Sequence, residues 1–153
     1  MKTILMAAAV AATFAALPAH AATDAECQAM WTKADVNKDG VLVGTESMRY
    51  AAAMRVHDKE LGADGKLDQA SFMEACKSNV YRTRKTDEGA PLKGANSFTE
   101  GQAKDRALSY GFTSVSSLKK DGDGIWRGSA MQDGKAVQIA IDYKGNVVPQ
   151  TAP

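Results

Sequence analysis

Histidine is nearly absent from this chain of 153 residues: there are two, His20 and His57, beside two cysteines, Cys27 and Cys76. One histidine beyond residue 21 and one cysteine pair cannot assemble a common zinc site. A Ser-His-Asp or Cys-His triad would have to use His57, and no nucleophile motif accompanies it. Phosphate-cradling glycine loops are missing. No stretch beyond the N-terminal region approaches the ~20 consecutive apolar residues that a membrane-spanning helix needs, so stable membrane insertion is not expected. Charge of one sign is missing as well. Lys and Arg number 19 against 18 Asp and Glu, and Lys2 is the sole charged residue of the first 21, so the remainder is balanced. A neutral chain carries no general bias toward nucleic acid or anionic lipid. Asp142 is the best isolated carboxylate for acid–base work, and it has no evident partner. The sequence therefore predicts a protein that is not an enzyme.

What is present starts with a targeting segment. Lys2 supplies a positive end, Ile4 to Leu17 an apolar Ala-rich run, and Ala19-His20-Ala21 a small-x-small cleavage site. Residues 1–21 are thus predicted to be a signal peptide cleaved after Ala21, with the product periplasmic or secreted. An even cysteine pair in an oxidising compartment reads as a Cys27–Cys76 disulfide.

Asp35-Val36-Asn37-Lys38-Asp39-Gly40-Val41-Leu42-Val43-Gly44-Thr45-Glu46 places oxygen-bearing side chains in its first, third and fifth positions. Gly40 stands sixth, where a sharp turn needs a positive φ, and Glu46 stands twelfth. Thr23 and Glu26 form a capping box ahead of a helix with Cys27, Met30, Trp31 and Ala34 on one face. A following helix is expected from near Thr45, carrying Met48, Ala51, Ala52 and Met54. Met30, Met48, Met54 and Met73 are assigned to the core. A second, weaker loop aligns Glu60 first, Gly62 third, Asp64 fifth, Gly65 sixth, Lys66 seventh, Leu67 eighth, Asp68 ninth and Ser71 twelfth. Phe72, Met73, Ala75 and Cys76 form a helix face behind it.

Both loops resemble the EF-hand calcium-binding family over residues 23–78. The resemblance implies a Ca²⁺ held by Asp35, Asn37 and Asp39, the backbone carbonyl of Val41 and both carboxylate oxygens of Glu46, with Val43 acting through a water. It implies a degenerate second hand whose weaker metal set is Glu60, Asp64, Lys66 and Asp68, and pairing of the loops through Leu42 and Leu67.

Residues 79–96 read as a linker containing the basic cluster Tyr81-Arg82-Thr83-Arg84-Lys85. A second module occupies 97–149, with 150–153 as a tail. Ser97 and Glu100 offer a capping box for a helix with Ala103, Ala107 and Tyr110, stopped by Gly111. Strand-like runs follow at 113–119, 125–130, 136–143 and 147–148, separated by turns. The turn Asp121-Gly122-Asp123-Gly124 is a hairpin turn, since a third calcium loop would put Lys119 first and Ala130 twelfth. Phe112, Trp126, Val137, Ile139 and Ile141 are the expected core. Through Ala103, Ala107, Gly111, Val115, Leu118, Gly124, Trp126, Val137-Gln138-Ile139-Ala140-Ile141-Asp142 and Gly145-Asn146-Val147, this module resembles the PepSY family of small exported domains. That resemblance implies one helix packed on an antiparallel meander, and a role in protein contact such as inhibiting or chaperoning a secreted peptidase.

The expectation is an α+β protein: an all-α EF-hand pair over 22–78, then a single helix on an antiparallel β-meander. Two functional readings compete. Calcium binding could govern contacts with another envelope or secreted protein, or the C-terminal module could inhibit a peptidase while calcium only stabilises the chain.

Overall fold

A computed structural model describes residues 21–62, 64–82, 86–87 and 89–150. The predicted signal peptide falls almost wholly outside these residues, as do three positions of the basic cluster and most of the tail. Among the described residues lie four helices: α1 (Asp24–Ala34), α2 (Met48–Val56), α3 (Gln69–Lys77) and α4 (Glu100–Ser109). Six strands accompany them: β1 (Val41–Leu42), β2 (Leu67–Asp68), β3 (Lys119–Lys120), β4 (Trp126–Gln132), β5 (Lys135–Ile141) and β6 (Val147–Gln150).

The N-terminal half is not all-α. Helices and strands are interspersed there, because β1 and β2 form their own antiparallel sheet with Leu42 opposite Leu67. Gly40 at φ +82° turns the chain out of the loop into extended backbone. The amides and carbonyls exposed by that extension find partners across the sheet, as buried backbone groups must. Leu42 and Leu67 are both completely buried, so the strands also carry the first loop onto the core.

That core gathers Trp31 of α1, Phe72 of α3, Met54 of α2, and Val80 and Tyr81 beyond α3. Phe72 is its centre: its ring centroid lies 5.2 Å from Trp31, 4.9 Å from Tyr50 and 4.7 Å from Tyr81. Of the four methionines assigned to the core, Met54 is buried and Met30 and Met73 pack against its edge. Met48 is exposed, because α2 begins three residues later than Thr45 and starts on its solvent side. Cys27 and Cys76 are bonded, joining α1 to α3.

In the C-terminal half β3, β4, β5 and β6 form an antiparallel meander in that order, and α4 packs on it. Its core holds Ala103, Ala107, Phe112, Leu118, Ile139, Ile141 and Val147, with Trp126 and Val137 half-buried against it. Two local expectations shift. The capping box is Thr99 with Gln102 rather than Ser97 with Glu100. The Asn96 Oδ1 accepts the Phe98 amide at 3.0 Å and fixes the turn before Thr99, while Glu100 accepts the Leu118 amide at 3.0 Å. The run 113–119 is strand only at Lys119, apart from a bridge between Thr113 and Met131. Ser114 takes a positive φ of 49° and breaks the extension.

The β3–β4 turn is a hairpin organised by Asp121. Its Oδ1 accepts the amides of Asp123 and Ile125 at 3.0 and 2.9 Å, and its Oδ2 accepts Nε of Arg127 at 2.7 Å. These donors, the Ile125 amide foremost, hold the Asp121 carboxyl below its ordinary value of 3.8. A depressed carboxyl contributes stability that is present above its unfolded-state value and lost as pH falls through the folded one. An NMR titration of Asp121 is therefore expected to show a midpoint below 3.8, with the amides of Asp123 and Ile125 shifting in step. A midpoint at or above the ordinary value would contradict this turn.

The described residues of 79–96 include two that bond to the C-terminal half. The Asp87 amide donates to the Val147 carbonyl at 3.1 Å, and the Gly94 amide to the Asp123 carbonyl at 3.0 Å. Gly94 and Gly124 touch so closely that a Cβ on Gly124 would lie 1.9 Å from the Gly94 carbonyl oxygen.

Candidate metal centre

The first loop is delivered by the C-terminus of α1, whose cap residue is Asp35. Asp35 is 7% exposed. Its Oδ2 accepts the Gly40 amide at 3.2 Å, which closes the loop across its first six positions. Its Oδ1 is buried and has no hydrogen-bond partner. A buried carboxylate oxygen left unpaired costs several kcal/mol in principle, ~1–3 or more.

The remaining oxygen donors are bonded within the loop. Asn37 Oδ1 accepts the Asp39 amide at 3.0 Å, and Asn37 Nδ2 donates to Asp39 Oδ2 at 3.0 Å. Asp39 Oδ1 accepts the Val41 amide at 3.0 Å. Glu46 reaches back across the loop, where its Oε1 accepts the amides of Val36 and Asn37 at 3.1 and 3.3 Å. Each of the first, third, fifth and twelfth residues thus bonds back to the loop's own backbone, Asp35 to Gly40, Asn37 to Asp39, Asp39 to Val41 and Glu46 to Val36 and Asn37. Among the described residues no three His, Cys, Asp or Glu side chains converge as a metal-holding group. Asp39 and Glu46 are turned toward amides rather than toward Asp35 Oδ1. The donor chemistry fits a hard, oxygen-loving cation, and binding one requires Glu46 and Asp39 to exchange amide hydrogen bonds for it.

The second loop spends its carboxylates elsewhere. Lys66 Nζ lies 3.2 Å from Asp64 Oδ2, and the Lys66 amide donates to Asp64 Oδ1 at 3.1 Å. Those contacts, the amide first, hold the Asp64 carboxyl below its ordinary value. Asp68 caps α3, its Oδ1 accepting the Ser71 amide at 2.8 Å and its Oδ2 the Ser71 hydroxyl at 3.2 Å. Helix α3 consequently begins at Gln69, ahead of Phe72. An Asp three residues before Ser71 and just before an apolar-periodic run is an N-cap signal. Reading Asp68 as a ninth-place ligand obscured it. Glu60 is exposed on the stretch after α2. Among the described residues, Glu60, Asp64 and Asp68 form no metal-holding group.

Outside the loops, Asp142 is fully buried and works as a structural anchor. Its Oδ1 accepts the Lys144 and Asn146 amides at 2.9 and 3.1 Å, and its Oδ2 accepts Asn146 Nδ2 at 2.9 Å and the Leu92 amide at 3.2 Å. All four donors tie the β5–β6 turn to Leu92. His57 caps the end of α2 through its backbone.

Comparison of the chain with protein-family models, curated proteins and solved structures finds no match. What the chain itself supports is a class: a mixed α+β protein with a Cys27–Cys76 disulfide and, among the described residues, no helix long and apolar enough to cross a membrane. Both features are compatible with an exported protein.

Proposed function

We propose that this chain is an exported, non-enzymatic calcium-binding protein, with Ca²⁺ held by the first loop and regulating or stabilising contacts with another envelope or secreted protein. The observation that carries the reading is Asp35 Oδ1, a buried carboxylate oxygen without a partner, in a loop that also carries the oxygen-bearing side chains of Asn37, Asp39 and Glu46. An unpaired buried charge is tolerated where a ligand satisfies it. Asp35, Asn37, Asp39, the Val41 carbonyl and Glu46 would supply the hard oxygens, and Glu46 would leave the amides of Val36 and Asn37 to do so. The second loop serves as the strand partner, since its Asp64 is neutralised by Lys66 and its Asp68 caps a helix.

The test is a calorimetric calcium titration of the oxidised chain beside Asp35→Ala. One site is expected in the parent protein, with affinity in or tighter than the roughly 10⁻⁴ to 10⁻³ M range of extracellular modules, and none in the variant. No heat at millimolar calcium ends the proposal. Two sites would mean that the second loop binds despite Lys66.

A further inference from the structure

Helix α2 belongs to both halves of the protein. Its Ala53 and Met54 sit in the N-terminal core, and the helix also packs along α4, which supplies Ala103 and Ala107 to the C-terminal core. Ala52 of α2 and Ala107 of α4 are completely buried. Side chains this small let helices approach closely, so a displacement of one must be felt by the other. At the last turn of α2, Arg55 makes a two-pronged pair with Asp105 in the middle of α4, Nε to Oδ2 at 2.7 Å and Nη2 to Oδ1 at 2.5 Å. The paired geometry fixes axial position as well as distance. At the opposite end, the helix N-cap Ser47 directly follows Glu46, the loop's twelfth residue.

We infer that α2 couples the first loop to the C-terminal sheet, so that calcium stabilises β4–β5 although that sheet contributes nothing to the loop. This rests on the calcium reading above. A ligand that binds only the folded state lowers the equilibrium population of the globally unfolded state by a factor of 1 + [L]/Kd, which is about 100-fold at one hundred times Kd. If the halves unfold as one unit, every amide that exchanges through global unfolding shares that factor. If they are independent, amides of the sheet do not change.

The experiment is amide hydrogen exchange on the full oxidised chain, with and without calcium at one hundred times Kd, alongside calorimetry on the same samples. The slowest amides of β4 and β5, such as those of Ala130 and Ile139, are expected to slow by about the same factor as those of α3. The double variant Arg55→Ala, Asp105→Ala is expected to retain its calcium heat while the effect at the sheet shrinks at least tenfold relative to α3. Protection that stops at α3 in the parent protein, with calcium heat present, overturns the coupling and leaves the binding site intact. Full protection of the sheet in the double variant overturns α2–α4 as its route and points to segment 79–96. Absence of calcium heat fells the binding reading itself, and this inference with it.

Discussion

Replacing Cys27 and Cys76 together with serine is expected to lower the stability of the N-terminal half by about 4 kcal/mol, the chain-entropy value for a loop of this length. The bridge spans a sequence separation of 49 residues, so it removes a large set of open conformations from the unfolded ensemble. Beyond the bridge, α1 is held mainly through Trp31, which packs edge-on against Phe72. The helix's buried side chains are Cys27, Trp31 and Ala34. Its ion pair with α3, Lys77 to Asp24 at 3.1 Å, is exposed on both sides and screened, a type of pair worth ~0–1 kcal/mol. A second effect should accompany the first. Helix α1 ends at Asp35, so loosening it disorders the residue on which the loop closes, and calcium affinity should fall in the reduced or serine-substituted protein. Urea unfolding of the oxidised, reduced and serine forms measures the first effect, and calorimetry the second. A loss under 1 kcal/mol would show that α1 is held by packing alone.

Phe72→Ala is expected to cost about 3–5 kcal/mol, the range for removing a fully buried aromatic ring. Phe72 has no solvent exposure and meets three aromatic rings, with Trp31 and Tyr50 edge-on at 71° and 66°. The surrounding groups cannot collapse into the space, because Tyr50 and Tyr81 are braced against each other at 5.0 Å. Tyr81 is also the residue whose hydroxyl is buried without a partner, and burial pushes its pKa up. Against a typical total of 5–15 kcal/mol, such a loss leaves many domains partly unfolded. Phe72→Leu retains most of the apolar volume and should cost clearly less. Thermal unfolding of the two variants orders them. Equal midpoints would mean that the loss lies in the ring contacts and that retained volume contributes nothing.

Local signals carried much of this architecture. Thr23 and Glu26 read as a capping box and form one. Leu42 and Leu67 read as strand partners and stand opposite each other. A turn is expected between the runs 125–130 and 136–143, and there Asp133 and Gly134 take positive φ, 50° and 76°. Ambiguity arose where one residue had two plausible tasks. Asp68 suits a ligand position or a helix cap, and which it serves depends on where α3 begins. Lys66 looks like a neutral seventh place until its ammonium is seen on Asp64. The placement of segment 79–96 was invisible for a different reason. Its polar, glycine-containing composition resembles any linker, whereas its contacts, Leu92 to Asp142 and Asp87 to Val147, span 50 and 60 residues. No local pattern encodes separations of that size. For the first loop, spacing picked out the oxygen-bearing side chains, but whether they face inward or bond to amides is decided by the conformation of Glu46 and Asp39.

The contact between Asp87 and Val147 bears on how this protein behaves at high concentration. Strand β6 is an outer strand of the meander, and an outer strand with free amides and carbonyls invites another chain to add itself. Here Asp87 occupies that position: its amide donates to the Val147 carbonyl, and its Oδ2 accepts the Val147 amide at 3.2 Å. Two residues further along, Pro149 has no amide to offer. The opposite edge, β3, is two residues long and consists of exposed lysines, whose charges repel an approaching copy. Both margins of the sheet are thus guarded against fibril-like growth, and Asp87→Ala, which keeps the backbone bond to the Val147 carbonyl but deletes the Oδ2 acceptor, would free the Val147 amide at one of them.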